Sequence, residues 1–266
     1  MKFQFPWNKI NKEDSVFLSY DEHRNNLGDI LSPIIANHFG SKKVIRISKR
    51  KTHRVEHYFM IGSILQRCTS KSIIWGSGLI SEDSICKDKP KKVLAVRGPL
   101  TRIKLIEQGI DCPEVYGDPA LLLPEIYPAD HIKSRYKLGI IPHFLDKNDP
   151  ALKNFTNSTE IKIIDIQNKE PLKAINEMLE CEHIISSSLH GLIISDAYKI
   201  PSIWVQFTKP IEKDFFKFQD YFASVGRVVD KPFIFSEFKN SDEILQAFEA
   251  YKINIDLEGL KRSFPF

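Results

Sequence analysis

Short apolar runs rich in β-branched residues alternate along the first half of the chain with segments that have helical apolar spacing. This alternation is typical of βαβ units, in which helices join parallel strands. It predicts strands at residues 16–18, 44–47, 58–61, 73–75, 93–96 and 115–116, and helices at residues 29–39 and 98–109.

A second alternation follows a break. Residues 124–128 carry two prolines and residues 129–135 are polar, so we expect a linker there. Beyond it the pattern predicts strands at 138–141, 161–164, 183–185 and 203–205, and helices at 171–181, 189–198, 241–252 and 257–262.

Two such series predict an α/β fold with two Rossmann-like domains. We place the first domain at residues 1–125 and the second at 136–235, with a helical tail at 236–266. Ligands of these folds bind at the carboxyl ends of the strands, which here face a cleft between the domains.

Composition and charge argue against several classes of protein. The net charge of the 266 residues is +4, which does not indicate nucleic acid as a partner. The N-terminus lacks the apolar core of a secretory signal, and no stretch approaches the roughly 20 apolar residues of a membrane span. The four cysteines form no C-x-x-C pair, so we expect neither a disulfide framework nor structural zinc in a cytoplasmic protein.

Three serines, Ser186, Ser187 and Ser188, follow a predicted buried strand and precede a helix that begins with Leu189 and His190. A helix start offers free N–H groups and the positive end of the helix dipole, which bind phosphate or carboxylate. In the alternative interpretation the serines only cap the helix and His190 is a polar surface residue. The position at a strand end favours a functional site.

Two further charged residues lie between a strand and a helix. Arg97 either holds an anionic ligand in bidentate fashion or forms a surface salt bridge. Asp29 is either a helix N-cap or a general base that faces the cleft.

Glycine-rich turns end two other strands. Gly76-Ser77-Gly78 lacks the third glycine of a dinucleotide fingerprint and predicts a loop whose backbone is closely approached. Asp118, between Gly117 and Pro119, either caps a helix or lines the site.

Residues 42–54 contain seven Lys or Arg and no acid. They form either a solvated basic face or a surface attracted to the anionic inner leaflet or to a diphosphate lipid. P-loop, zincin and nucleophile-elbow motifs do not occur in the sequence.

Taken together, six segments resemble the polysaccharide pyruvyl transferase family over roughly residues 15 to 225. The sequence looks most like the bacterial branch that adds a pyruvate ketal to a sugar of exopolysaccharide or capsule repeat units. The segments, in chain order, are residues 26–29, 75–78, 95–99, 117–120, 140–143 and 186–191.

This resemblance implies a GT-B-like fold with the site between two Rossmann-like domains. It implies phosphoenolpyruvate as donor, no cofactor and no metal, and a sugar acceptor that we expect on a lipid-diphosphate carrier at the inner membrane face. In the implied ketal chemistry His190 is the acid, Asp29 the base and Arg97 a phosphate ligand. The substrate-binding residues are predicted to be Asn26, Gly28, Ser77, Gly78, Asp118, His143, Ser187, Ser188, Leu189 and Lys217.

The sequence departs from the family at Ser188, where many members have an arginine. His143, Lys217 or a residue of the basic stretch are the candidates to replace that cation. Two other functions share the expected fold, because fold does not determine function. They are a glycosyltransferase with a nucleotide-sugar donor and a non-catalytic sugar-binding protein.

Overall fold

The computed structural model describes residues 14–21, 27–130, 132–168, 170–207 and 214–266. These residues form two halves, each built on a five-stranded parallel sheet with flanking helices. The prediction of an α/β fold with two Rossmann-like domains is confirmed. Within the described residues, no helix has the length and apolar character needed to cross a membrane.

In the first half, the strand order is β2-β1-β3-β4-β5. The chain moves from β1 outward to β2 and then returns past β1 to β3, so the direction of winding reverses between β1 and β3. A reversal of this kind leaves a crevice at the carboxyl ends of the two strands. The elements of this half are β1 (Ser15–Leu18), α1 (Leu27–Phe39), β2 (Lys43–Arg46), β3 (His57–Phe59), β4 (Ser72–Trp75), β5 (Lys92–Ala95), α2 (Pro99–Glu107) and α3 (Leu123–Ile126).

The second half repeats this order as β7-β6-β8-β9-β10, with its reversal between β6 and β8. It therefore forms a second crevice of the same kind. Its elements are β6 (Tyr136–Ile141), β7 (Ile161–Ile163), α4 (Pro171–Leu179), β8 (Cys181–Ser186), α5 (Leu189–Ala197), β9 (Ser202–Gln206), α6 (Phe216–Ser224), β10 (Phe233–Ile234), α7 (Ser241–Gln246) and α8 (Leu257–Arg262).

Most predicted elements lie where the sequence pattern placed them, and the others differ as follows. The predicted strand at 115–116 forms only an isolated bridge between Val96 and Tyr116. The helix predicted for 241–252 ends at Gln246, because Tyr251 is held away from it by hydrogen bonds to Asp196 and Ser202. Elements α3, α6 and β10 were not predicted.

The predicted linker at 124–128 also differs. Pro124 lies inside α3, and the 3-10 turn before it, Pro119–Leu122, is completely buried. This segment packs against α1 and α5. The connection between the halves is thus part of the core until α3 ends.

A continuous apolar core joins the two halves. It contains Leu27 and Trp75 from the first half together with Ile141, Leu192 and Phe218 from the second. The C-terminal segment reinforces it, because the indole nitrogen of Trp75 donates hydrogen bonds to the carbonyl oxygen of Leu260 and to Oγ of Ser263, both at 3.0 Å.

A buried ion pair also crosses between the halves. Arg97, which follows β5, donates from Nε to Oδ2 of Asp220 on α6 at 3.0 Å, and both side chains are almost completely buried. The backbone N–H of Thr101 donates to Oδ1 of the same carboxylate. Asp220 approaches α2 so closely that Gly98 has no room for a Cβ atom.

Candidate functional site

A cavity of about 380 Å³, here called the central cavity, lies where the carboxyl ends of the two sheets face each other. Loops that follow β1, β3, β6 and β8 line it, so both winding reversals open onto it. This is the position at which folds of this kind bind ligands. The lining residues are Asp21, Asp29, Lys49, Gly62, Ser63, Ile64, Arg67, Ile80, His143, Phe144, Leu145, Ser188, Leu189, His190 and Lys217.

The structure separates the predicted site residues into two groups. Those that line the central cavity are Asp29, His143, Ser188, Leu189, His190 and Lys217. Those that do not line it are Gly28, Ser77, Gly78, Arg97, Asp118 and Ser187. Asn26 lies outside the described residues.

His190 lies in the first turn of α5 and contacts the first half of the molecule. Its imidazole lies directly against Gly28 at the start of α1, where a Cβ atom would overlap the ring. Its Nε2 lies 3.7 Å from Oδ2 of Asp118. Both of these atoms are buried, and neither has a hydrogen-bond partner among the described residues.

Asp118 takes the capping role, one of the two that the sequence left open, and does not line the central cavity. Its Oδ1 accepts a hydrogen bond from the backbone N–H of Ala120 at 3.0 Å and so caps the 3-10 turn. Its Oδ2 faces His190 from behind the cavity wall. The carboxylate therefore faces the imidazole without a hydrogen bond between them.

Asp29 lies one helical residue beyond Gly28 and lines the central cavity. Since α1 begins at Leu27, Asp29 lies inside the first turn and is not the N-cap. Burial raises the pKa of Asp29 to about 6, with the nearby His190 opposing the rise and Asp21 adding to it. A carboxylate with this pKa accepts a proton more readily near neutral pH than an ordinary aspartate does.

Arg97, which the sequence analysis predicted to contact the donor, does not line the central cavity. Besides Asp220, its guanidinium donates to Oγ of Ser63 at 2.5 Å and to the carbonyl oxygen of Leu79 at 2.7 Å. With a side-chain exposure of only 1%, it does not open onto the central cavity. Through Ser63 it holds the cavity wall in place.

The loop of Ser77 and Gly78 supports the same wall. Oγ of Ser77 donates to the carbonyl oxygen of Gly62 at 2.7 Å, and the backbone N–H of Gly78 donates to that oxygen at 3.1 Å. The group that approaches Gly78 is the guanidinium of Arg97, which would meet an added Cβ at 2.6 Å. The predicted close approach to this loop is therefore present, but the approaching group is a protein side chain.

Ser187 anchors the loop that carries His143. Its Oγ accepts from the backbone N–H of His143 at 2.8 Å and donates to Oδ2 of Asp146 at 2.6 Å. Burial raises the pKa of Asp146 to about 6, and the bond from Ser187 opposes that rise. The sequence analysis missed Asp146, because nothing in its local sequence signals a partner 41 residues away.

Three Lys or Arg side chains are among the residues that line the central cavity. Lys217 projects from α6 and is 9% exposed, whereas Lys49 and Arg67 are well exposed and both lie near Asp21, at 2.9 and 3.8 Å. Lys49 belongs to the basic stretch 42–54, so this stretch reaches the cavity. Together with His143, which also lines the cavity, these side chains are the candidates to supply the cation that Ser188 does not.

A family model described as polysaccharide pyruvyl transferase matches residues 11–206. The chain belongs to the polysaccharide pyruvyl transferase family. The resemblance drawn from the six sequence segments is thereby confirmed. Transfer of a pyruvyl group in polysaccharide biosynthesis is the general activity that this membership supports.

Two relatives of this pyruvyl transferase chain are similar over much of its length. The uncharacterized protein L143 of Acanthamoeba polyphaga mimivirus is 31% identical over 216 residues, which cover 79% of this chain and 75% of that protein. The succinoglycan biosynthesis protein ExoV of Rhizobium meliloti (strain 1021) is 25% identical over 166 residues, which cover 62% of this chain and 50% of that protein.

Replacement of Asp29 by asparagine is expected to stabilise the protein above pH 6. The folded-state pKa of about 6 exceeds the unfolded value of about 3.9, so folding favours the protonated form and stability falls as pH rises between these values. The uncharged asparagine side chain removes that loss, and the gain at pH 8 should be roughly 1–3 kcal/mol. Urea unfolding at pH 4 and pH 8 measures it.

Exposed Asp83 provides the control, since Asp83→Asn should change stability by less than about 0.5 kcal/mol at either pH. A destabilisation of the Asp29→Asn variant at pH 8 would show that its carboxylate makes a stabilising contact and is not a strained functional group.

Proposed function

We propose that the chain transfers the enolpyruvyl group of phosphoenolpyruvate to a sugar of a surface polysaccharide repeat unit, as a pyruvate ketal, and releases phosphate. The observation that carries the proposal is the meeting of His190, Asp29 and Lys217 at one cavity. An acid, a base and a cation are the groups that this reaction needs. Membership of the family supports pyruvyl transfer at the general level.

The donor carries a phosphate and a carboxylate, so its site must supply positive charge. The start of α5 offers the backbone N–H groups that follow Ser188, and its dipole favours a bound anion. Lys217 adds a nearly buried ammonium group to the same cavity. In this proposal Lys217 replaces the arginine that many relatives have at the position of Ser188.

Ketal formation requires one proton on the methylene carbon of the donor. His190 delivers that proton, and the positive charge that develops at the central carbon is quenched by a sugar hydroxyl, whose proton passes to Asp29. The bond from the central carbon to the phosphate oxygen breaks, and a second hydroxyl closes the ketal. Of the two hydroxyl protons, one restores His190 and the other leaves on the phosphate. One phosphoenolpyruvate and two hydroxyls thus give one ketal and one phosphate, with no cofactor and no metal as reactant.

Asp118 is the positioning residue for the acid. Because Nε2 of His190 is buried and faces Asp118, Nδ1 is the ring nitrogen left for the substrate. In this proposal Asp118 keeps the ring turned so that Nδ1 faces the donor.

A phosphate-release assay tests the proposed function. Phosphoenolpyruvate should give phosphate release that depends on an acceptor, in a panel of nitrophenyl and lipid-diphosphate hexosides. Two results would contradict the proposal: turnover with nucleotide sugars and none with phosphoenolpyruvate, or acceptor binding without turnover of any donor.

Lys217→Met should weaken phosphoenolpyruvate binding at least tenfold, about 1.4 kcal/mol, because it removes a nearly buried cation from the donor site. Calorimetry on the two proteins measures the effect. Lys173→Met, on the exposed face of α4, is the matched control and should bind the donor like the parent. Equal affinity in the Lys217→Met variant would remove Lys217 from the donor site.

His190→Asn should lower the turnover rate by about two to four orders of magnitude and keep most donor affinity, because Lys217 and the helix amides remain. Asp118→Asn should lower the rate less and shift the pH–rate profile, as expected of a residue that acts through His190.

His183→Asn, which alters a histidine on β8 outside the cavity, is the control for both variants. A wild-type rate in His190→Asn would assign the acid elsewhere, with His143 the next candidate in the cavity.

A further inference from the structure

A second cavity of about 380 Å³, here called the side pocket, adjoins the central cavity. The two cavities share Lys49, Ile64 and Arg67, which form the wall between them. The side pocket is lined by Ser19, Tyr20, Lys49, Thr52, His53, Phe59, Ile64, Gln66, Arg67, Thr69, Lys87 and Asp88.

Basic residues dominate the charge of the side pocket. Lys49, His53, Arg67 and Lys87 line it, against the single carboxylate of Asp88. Lys49 and His53 come from the basic stretch 42–54, so part of that stretch is a pocket wall and not only a solvated face. A concave site with this charge is suited to phosphate, for which lysine and arginine are the usual partners.

The wall between the two cavities is held by weak interactions. Lys49 and Arg67 pair with Asp21 at 2.9 and 3.8 Å, and the two cationic side chains are 58% and 45% exposed. Exposed pairs of this kind contribute only about 0–1 kcal/mol. A ligand anion can therefore replace Asp21 at little cost, and both cations can then face a ligand that extends through the wall.

Gln66 and Tyr20 line the side pocket beside the basic residues. Nε2 of Gln66 donates to the carbonyl oxygen of Ser63 at 3.2 Å, and Ser63 in turn lines the central cavity. The partly exposed ring of Tyr20 offers apolar surface for the face of a sugar ring.

We propose that the side pocket binds the phosphate-bearing end of a phosphorylated saccharide acceptor, while the sugar that receives the pyruvyl group lies in the central cavity. The assignment of this ligand as the acceptor rests on the proposed function. The donor does not require the side pocket, because its anions are met by Lys217 and the start of α5.

Calorimetry with glucose 1-phosphate, methyl glucoside, inorganic phosphate and phosphoenolpyruvate tests the proposal. Glucose 1-phosphate should bind more tightly than either methyl glucoside or inorganic phosphate. Lys87→Glu should lower the affinity for glucose 1-phosphate at least fivefold, and Lys87→Gln should lower it less. Phosphoenolpyruvate affinity should stay within about twofold in both variants, since Lys87 lines only the side pocket.

Lys89→Glu is the matched control. Lys89 lies two residues further along the same loop and donates to the carbonyl oxygen of Gly109, outside both cavities. The proposal is overturned if Lys89→Glu lowers the affinity for glucose 1-phosphate as much as Lys87→Glu does. It is also overturned if inorganic phosphate binds as tightly as glucose 1-phosphate, or if Lys87→Glu lowers the affinity for phosphoenolpyruvate as much as that for glucose 1-phosphate.

The two proposals fail in distinguishable ways. If phosphoenolpyruvate does not bind, but glucose 1-phosphate binds in a manner that depends on Lys87, the proposed function fails and the side pocket stands as a sugar-phosphate site. If phosphoenolpyruvate binds and glucose 1-phosphate does not, the side pocket assignment fails and the proposed function stands.

Discussion

The contact between the imidazole of His190 and Gly28 is the constraint on which the site depends. The ring belongs to the second half and the glycine to the first, and no side chain fits between them. This contact sets the starts of α5 and α1 against each other. It places His190 beside Asp29 and brings the carboxyl ends of both sheets to one cavity. A backbone hydrogen bond from Leu27 to Ile166, at 3.0 Å, holds the same junction.

The contact between His190 and Gly28 requires that the two halves of the molecule stay fixed relative to each other. The continuous apolar core provides the bulk of that attachment, and the Arg97–Asp220 pair fixes its geometry. Burying an ion pair is often neutral or unfavourable for stability relative to apolar packing. Here the ion pair holds the guanidinium of Arg97 in place, and this guanidinium also donates a hydrogen bond to Ser63 of the cavity wall. Buried polar atoms without a hydrogen bond, here Oδ2 of Asp118 and Nε2 of His190, cost roughly 1–3 kcal/mol each, and the two atoms face each other at 3.7 Å.

The sequence predicted the features that depend on local pattern. Period and composition located most strands and helices, and parallel strands require that their carboxyl ends share one edge. Asp29 and His190, which follow such ends, therefore line the cavity. Features that depend on distant partners were not predictable. Arg97 resembled an anion ligand because Asp220 lies 123 residues further along the chain. Element α6 was missed because its buried Lys217 and Asp220 interrupt the apolar periodicity.

The central claim is that a protein acid protonates the methylene carbon of phosphoenolpyruvate while the central carbon is captured by sugar hydroxyls. Turnover in D₂O followed by mass spectrometry and NMR of the sugar product tests it most directly. The account predicts a ketal whose new methyl group carries one deuterium, with free phosphate as co-product. A product that retains the unsaturated methylene carbon, or a ketal methyl without deuterium, would contradict it.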